Sequence, residues 1–341
     1  MLIPKNFYFS SHYSEVPYYQ SHQHLDLCMM GLSLISFLSS TMSNGMNQRS
    51  TEASLKYFLT QALGSTVLIL SVIYLFYSLK FMNFTSVNKA ALALINTSLL
   101  LKMGAAPLHM WFPMVMQGLS WFNSFILMTW QKFAPLVLLS YNMNMSMKLI
   151  TMSIFLSAIM GAIGGLNQTM LRKLMAFSAI NHLSWIMAAM SISESTWLMY
   201  YMMYVLLSTT VIMFFMLNNI FHINQIYSAF NMNKLNKLTF SLNLMSLGGL
   251  PPFLGFFPKW IVLQNFLEKG NILIIFIMIM STLITLFYYL RVTYLNLLML
   301  HSMKMWMMPF IPLTMYQMIS ISLNIFSILS FPALINVLIT N

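Results

Sequence analysis

The feature that most constrains this sequence is a succession of apolar runs long enough to cross a membrane. A spanning helix needs about 20 mainly apolar residues. The runs lie at 53–79, 88–118, 121–142, 149–166, 173–192, 196–221, 239–266, 272–297 and 312–338, with a weaker one near 25–42. The stretch at 272–289 lacks the period-2 alternation of barrel strands. The sequence therefore predicts an all-α, polytopic bundle of about ten transmembrane helices, with residues 1–341 forming one membrane domain.

Composition excludes most other classes of protein. Only 6% of the 341 residues are charged and 59% are hydrophobic, whereas soluble domains carry about 25% charged residues. A soluble enzyme, a nucleic-acid-binding protein and a disordered chain are all excluded. The single cysteine, Cys28, excludes internal disulfides and thiolate iron–sulfur or zinc sites. We therefore expect this chain to bind neither a metal nor nucleic acid.

Most of the cations behind the net charge of +11 lie between the apolar runs. Their positions therefore indicate which loops lie on which side of the membrane. Successive loops are expected to lie on opposite sides of the membrane. The loops of the first side then carry Arg49, Arg172, Lys173, Lys234, Lys237 and Lys304. The second side carries Lys80, Lys89, Lys148 and Lys269. The first side is more positive, and the positive-inside rule makes it the inner side.

Three lysines fall inside apolar runs: Lys102, Lys132 and Lys259. A charge at the centre of a spanning helix costs about 2.5–3.5 kcal/mol on insertion scales. Lys132 stands in the middle of the run at 121–142, where a continuous helix keeps its amine away from both interfaces. Two interpretations remain open at this point: an amine that carries protons, or a structural ammonium bonded to carbonyls of a neighbouring helix.

Glycine and proline interrupt two of the runs, next to two of these lysines. The interrupting residues are Gly104 and Pro107 in the first run, and Gly248, Gly249, Pro251 and Pro252 in the second. Proline removes a backbone donor, and unwound backbone survives at membrane depth only when it is buried in protein or lines water. Lys102 precedes its break and Lys259 follows its own, as an inverted repeat would place them. The alternative is two ordinary proline kinks with snorkelling lysines.

Two histidines complete the candidate site. His182 lies two and a half helical turns beyond Lys173, with Ser178 four residues earlier on the same face. Histidine exchanges protons near neutral pH, although a histidine inside a bundle is also commonly a hydrogen-bonded structural residue. His109 lies in the first break and is placed to line the same path. The sequence contains no dinucleotide or Walker A motif, so relay by lysine, histidine, hydroxyls and water is the chemistry that remains.

Five segments resemble a known family in the same order along the chain. They are residues 50–58, 102–113, 128–135 (MTWQKFAP), 164–182 and 248–260. They resemble subunit 2 of the mitochondrial NADH-ubiquinone oxidoreductase (complex I) of animals, in particular insects, an antiporter-like, proton-translocating subunit family. The resemblance covers about residues 29–300.

The resemblance implies a multi-pass protein of the mitochondrial inner membrane, whose partners are lipids and the other membrane-arm and accessory subunits. It implies that Lys102, Lys132 and Lys259 form a central proton axis, with His182 on an intervening helix. It also implies that this chain binds no cofactor itself. NADH, FMN, iron–sulfur clusters and ubiquinone belong to the parent complex.

The N-terminal part departs from the family pattern. Residues 1–28 do not resemble a membrane helix, and Ser33 follows Gly31-Leu32 where the family has the glutamate that partners the first lysine. One hypothesis is a shift of reading frame across His22 to Gly31, which resequencing of the 5′ end tests. Two alternative functions also stay open: a free-standing cation/proton antiporter, and a passive structural subunit.

Overall fold

The computed structural model describes residues 48–80, 86–143, 147–229, 234–251 and 253–298. Within these ranges the chain forms twelve helices and no strand, apart from one isolated bridge between Met170 and His222. The spans predicted near 25–42 and 312–338 lie outside the described residues. So do the atypical segment 1–28 and Ser33.

The helices follow the predicted runs closely. They are α1 Gln48–Lys80, α2 Ser86–Met103, α3 Trp111–Gly118, α4 Trp121–Met128, α5 Trp130–Asn142, α6 Met147–Gly165, α7 Leu171–Met190, α8 Glu194–Leu217, α9 Ile223–Ala229, α10 Lys234–Gly248, α11 Phe256–Glu268 and α12 Ile272–Leu298. Four of them are long and apolar enough to cross a membrane: α1, α6, α8 and α12. The predicted all-helical membrane fold is confirmed.

Helix α7 is the centre of the bundle. All of its residues except Arg172, Lys173 and Phe177 are buried. Helix α6 packs closely along it, because a Cβ on Gly161 would lie only 2.6 Å from the backbone nitrogen of Asn181. Helices α3, α4, α8, α11 and α12 also contact α7. The buried polar side chains of α7 therefore face several elements at once.

The first predicted break lies between α2 and α3. The chain leaves α2 after Met103 and is not helical from Gly104 to Met110. Gly104 adopts a φ of +71°, and a Cβ there would come within 3.0 Å of the Cβ of Phe112. The indole nitrogen of Trp111 donates to the carbonyl of Leu101 at 3.0 Å. A glycine is thus needed at this turn, because the backbone is left-handed and Phe112 leaves no room for a Cβ.

The second predicted break lies between α10 and α11. Gly248 is the last residue of α10, and Gly249 has a φ of +80°. The backbone is not helical at 249–251 and 253–255, while Pro252 lies outside the described residues. The predicted interruption is confirmed, except that it begins one residue later than the sequence suggests.

A third interruption was not predicted. The expected continuous helix at 121–142 is divided at Thr129, which has φ −112° and ψ −81°. Its hydroxyl donates to the carbonyl of Phe125 at 2.8 Å, and its own carbonyl accepts from the Tyr201 hydroxyl at 2.8 Å. Pro135, inside α5, cannot donate to the carbonyl four residues earlier. The expectation of one continuous helix over 121–142 is therefore wrong, and Lys132 lies in the first turn after the interruption.

Candidate functional site

Lys132 lies in the first turn of α5, three residues after the interruption at Thr129. The residue is 2% exposed, and its Nζ atom lies 4.4 Å from the centroid of the Phe112 ring. Among the described residues Nζ has no hydrogen-bond partner. An ammonium over an aromatic face is stabilised by the quadrupole of the ring. The amine is therefore enclosed by protein without being fixed to a carbonyl.

Lys259 lies in the first turn of α11, directly after the second break. Its Nζ atom donates to the carbonyl of Gly248 at 2.7 Å and lies 5.9 Å from the ring centroid of Trp185. A Cβ on Gly249 would lie 2.8 Å from the same nitrogen. The unwound segment thus provides both the acceptor for this amine and the space through which its stem passes.

His182 lies on α7, three residues before Trp185, the ring that Lys259 approaches. Its Nδ1 atom is 3.2 Å from the hydroxyl oxygen of Tyr200, and its ring centroid is 5.1 Å from that of Tyr204. Tyr200 in turn stacks on Trp185, so an aromatic cluster separates His182 from Lys259. Lys132 lies over Phe112 of α3, a helix that packs against α7.

Lys102, the fourth of these residues, lies on the other side of the first break, against α1. It is buried at the end of α2, and a Cβ on Gly64 would lie 3.0 Å from its Cγ atom. The amide nitrogen of Gln61 is 3.4 Å from its backbone carbonyl. The stem of Lys102 is therefore packed against α1.

The supporting residues lie where the sequence placed them. His109 is buried within the first break, with Nδ1 3.3 Å from the carbonyl of Pro107, and its Nε2 atom finds no partner in the described part of the chain. Ser178 is buried on α7 and donates to the carbonyl of Met175 at 2.8 Å. The hydrogen bond of Ser178 offsets the cost of burying its hydroxyl, whereas Nε2 of His109 has no such compensation within the described residues.

Sequence reasoning missed a group of buried tyrosines beside His182. Tyr200 and Tyr204 come from α8, and Tyr288 and Tyr289 come from α12. The ring of Tyr200 stacks on Trp185, with centroids 6.4 Å apart, and Tyr288 contacts Tyr289 edge-to-face at 4.8 Å. Hydroxyls both donate and accept hydrogen bonds. A Tyr pair with four-residue spacing on α8 is the signal that could have revealed half of this group.

Carboxylates are scarce around the site. Across the described ranges no group of three or more His, Cys, Asp or Glu residues could hold a metal ion. The acidic residues within those ranges, Glu52, Glu194 and Glu268, are exposed. The charge chemistry of the described interior thus rests on lysine, histidine and hydroxyl groups.

Buried lysines beside broken helices are typical of an antiporter-like membrane subunit, and comparison with known proteins agrees with this class. The profile of the family described as NADH:quinone oxidoreductase/Mrp antiporter, transmembrane, matches residues 23–285. In fold the chain is similar to a chain of respiratory complex I from Thermus thermophilus with bound aureothin. The TM-score is 0.75 at 20% identity, covering 90% of this chain and 73% of that one.

Relatives that are similar in sequence identify one family within this class of membrane subunits. The chain is 48% identical over 281 residues to the NADH-ubiquinone oxidoreductase chain 2 of Anopheles gambiae, covering 82% of each protein. It is 47% identical over 281 residues to that of Aedes aegypti, again covering 82% of each. The chain belongs to the NADH-ubiquinone oxidoreductase chain 2 family.

Proposed function

We propose that this chain translocates protons as a core membrane-arm subunit of the respiratory NADH:ubiquinone oxidoreductase. The path runs through Lys102, Lys132, His182 and Lys259. The observation that carries this proposal is the amine of Lys132, which is buried over the ring of Phe112 with no hydrogen-bond partner in the described residues. A purely structural ammonium would be expected to bind carbonyls.

The relay works by repulsion between neighbouring charges. Two like charges in a medium of low polarity repel strongly. When Lys132 takes up a proton, the next positive group is therefore driven to release its own. Lys259 keeps its amine beside the Gly248 carbonyl, and the Tyr200 hydroxyl orients the ring of His182. Each group accepts one proton and passes one on, so no net charge accumulates in the bundle.

We further propose that the protein resides in the mitochondrial inner membrane and assembles there with other membrane-arm subunits, accessory subunits and lipids. The chain holds none of the cofactors itself. The sequence lacks a nucleotide-binding motif and has a single cysteine. NADH oxidation, FMN, iron–sulfur clusters and the ubiquinone site belong to the parent complex. The family relationship supports each of these assignments.

A free-standing cation/proton antiporter is the second candidate, since the family profile includes Mrp antiporter subunits. Sodium and other hard cations prefer oxygen ligands, above all carboxylates. The carboxylates of the described residues are exposed near the ends of helices, whereas Lys102, Lys132 and Lys259 are buried. This distribution favours proton transfer between amines over cation exchange.

Native electrophoresis of mild-detergent extracts distinguishes these functions. The chain should migrate with a complex of several hundred kilodaltons that oxidises NADH and reduces ubiquinone. Depleting that complex with an antibody against another of its subunits should remove this chain as well. Recovery of most of the chain as a separate particle that exchanges cations for protons would contradict the proposal.

A further inference from the structure

Two loops are joined at the end of the bundle where α7 begins. The chain before α7 and the chain after α8 form a bridge between Met170 and His222. Beside this bridge the backbone nitrogen of Leu171 donates to the carbonyl of Phe221 at 3.0 Å, and a second backbone hydrogen bond of 3.1 Å joins the same two loops. The first residue of α7 is therefore fastened to the connection between α8 and α9.

A third segment, the turn between α3 and α4, is attached to these loops by Trp121. Its indole nitrogen donates to the carbonyl of Ile220 at 3.0 Å. The indole ring also stacks on Phe215 and Phe221, with ring centroids 4.9 Å and 6.2 Å apart. Stacked aromatic rings attract each other beyond the effect of the area that they bury. The first residue of α4 is thus packed against the end of α8 and the loop that follows it.

Arg172 connects this turn directly to α7. Its guanidinium donates to the carbonyl of Leu119, the residue that follows α3, and lies 4.8 Å from the centroid of the Phe221 ring. A planar guanidinium can donate hydrogen bonds and stack on an aromatic face at the same time. One side chain from the first turn of α7 therefore contacts both the turn before α4 and the loop after α8.

The neighbouring cation, Lys173, has the same setting without these contacts. Both residues lie in the first turn of α7, where the helix dipole disfavours positive charge. Both add one positive charge to the same side of the membrane. Within the described residues, however, Lys173 has no hydrogen bond, ion pair or ring contact. The contacts of Arg172 are therefore a property of that side chain and not of any cation at the start of α7.

Helix α4 is short and is attached at both ends. It spans eight residues, Trp121–Met128. Its start is held by the contacts of Trp121, and beyond its end the Tyr201 hydroxyl of α8 donates to the carbonyl of Thr129 at 2.8 Å. Lys132 follows in the first turn of α5. The position of the turn before α4 therefore determines where α5 and its lysine begin.

The same contacts involve the helix that carries His182. Ten residues of α7, a rise of about 15 Å, separate Arg172 from His182. The hydrogen bond from Arg172 to the Leu119 carbonyl thus sets the height of α7 relative to the turn from which α4 starts. It also joins α7 to the end of α3, the helix whose Phe112 ring lies beside the amine of Lys132.

We propose that Arg172 is a positioning residue, which holds α7 with His182 in a fixed arrangement with the α4–α5 segment that carries Lys132. It acts through the Leu119 carbonyl and the Phe221 ring and takes no part in proton transfer itself. The inference rests on the proposed function, because it requires Lys132 and His182 to act in one relay. Displacing reacting groups by 1 Å can reduce a rate by about 100-fold, even when the substituted residue is remote from them.

Arg172→Gln in the assembled complex, reconstituted into liposomes, tests this role. Proton pumping and NADH:ubiquinone turnover per assembled complex should fall about fivefold, less than the full effect because Trp121 and the backbone hydrogen bonds remain. The KM values for NADH and ubiquinone should not change, since the relay rather than substrate binding is disturbed. Arg172→Lys keeps a cation near Phe221 and should recover about half of the lost rate. Lys173→Gln removes the same charge from the next residue and should change neither rate.

Hydrogen–deuterium exchange measures the displacement itself. In Arg172→Gln, exchange should become faster at residues 130–134, the first turn of α5, as well as next to the substituted residue. Lys173→Gln should leave exchange at 130–134 unchanged. If Arg172→Gln does not assemble, Arg172→Lys is measured in the same way and should show the same change at 130–134 with turnover reduced about twofold.

Three results would overturn the positioning role. They are unchanged turnover per assembled complex in the Arg172 variants, equal losses in Arg172→Gln and Lys173→Gln, and faster exchange that is confined to the start of α7. The proposed function fails separately, through full pumping by Lys132→Met. If Lys132→Met abolishes pumping while Arg172→Gln remains normal, the relay stands and the role of Arg172 is wrong.

Discussion

At the scale of single residues, Gly249 determines where the amine of Lys259 is held. The glycine has a φ of +80°, and the amine bonds to the preceding carbonyl of Gly248 at 2.7 Å. A Cβ at position 249 would come within 2.8 Å of Nζ and 2.9 Å of Cδ. Both the backbone conformation and the path of the lysine therefore require a residue without a side chain.

Gly249→Ala should displace Lys259 and reduce proton pumping strongly. The left-handed conformation costs about 1–2 kcal/mol for a residue with a Cβ, and the clash moves the amine away from its acceptor. Pumping and NADH:ubiquinone turnover of the purified complex are the measurements. Gly270→Ala is the control, because Gly270 has a φ of +72° with nothing within 4 Å of its Cβ position. Equal activity of the two variants would contradict this account of Gly249.

The residues of the candidate site differ in how well the sequence identifies them. Lys132 is conspicuous because a charge in the middle of an apolar run is expensive. Tyr288 and Tyr289 do not stand out in the sequence, because tyrosine is common in apolar helices and at their ends. Only the packing of α12 against α6, α7 and α10 shows that these two hydroxyl-bearing side chains are buried.

At the scale of elements, the interruption at Thr129 gives Lys132 a setting that a straight helix would not provide. The Tyr201 hydroxyl, from α8, donates to the Thr129 carbonyl at 2.8 Å. The amide of Lys132 donates to the same oxygen at 3.0 Å. The first turn of α5 is therefore tied to α8, and Lys132 lies in that turn with its amine over Phe112 of α3.

Tyr201→Phe should loosen this interruption while leaving the aromatic packing against Phe133 in place. Loss of one buried hydrogen bond costs about 1 kcal/mol. We expect faster hydrogen–deuterium exchange at residues 130–134 and slower pumping, measured on the assembled complex. Tyr294→Phe, which removes an exposed hydroxyl from α12, is the matched control. Unchanged exchange in Tyr201→Phe would show that the hydroxyl does not maintain the break.

The three helix interruptions differ in whether the sequence predicts them. Two were predicted because glycine and proline stand together within apolar runs, between α2 and α3 and between α10 and α11. The third carries no such signal, because Thr129 is an ordinary residue and Pro135 lies six positions later. The hydrogen bond that accompanies it comes from Tyr201, 72 residues away along the chain.

At the scale of the whole molecule, the close packing of α6 against α7 fixes where the relay residue of α7 lies. Gly161 on α6 faces the backbone of Asn181, the residue before His182. Small residues let membrane helices approach closely, since packing rather than the hydrophobic effect drives their association. The position of His182 on α7 relative to α6 therefore depends on this contact.

Gly161→Ala should destabilise the bundle, because its Cβ would lie 2.6 Å from the nitrogen and 3.0 Å from the Cα of Asn181. Overpacking of this kind costs about 1–3 kcal/mol. The thermal stability of the assembled complex and its pumping rate should both fall. Ile163→Ala, which truncates an exposed side chain on the same helix, should change neither by a comparable amount. A fully stable Gly161→Ala complex would contradict the tight packing of the two helices.

The most direct test of the relay is proton pumping by the complex carrying Lys132→Met. Methionine keeps the length and helix propensity of lysine and removes the charge. Lys148→Met, at an exposed position, is the control and should be nearly silent. We predict that the Lys132→Met complex assembles in normal amount and loses pumping or the turnover coupled to it. Normal assembly with full pumping would contradict the relay and leave a passive structural subunit as the better account.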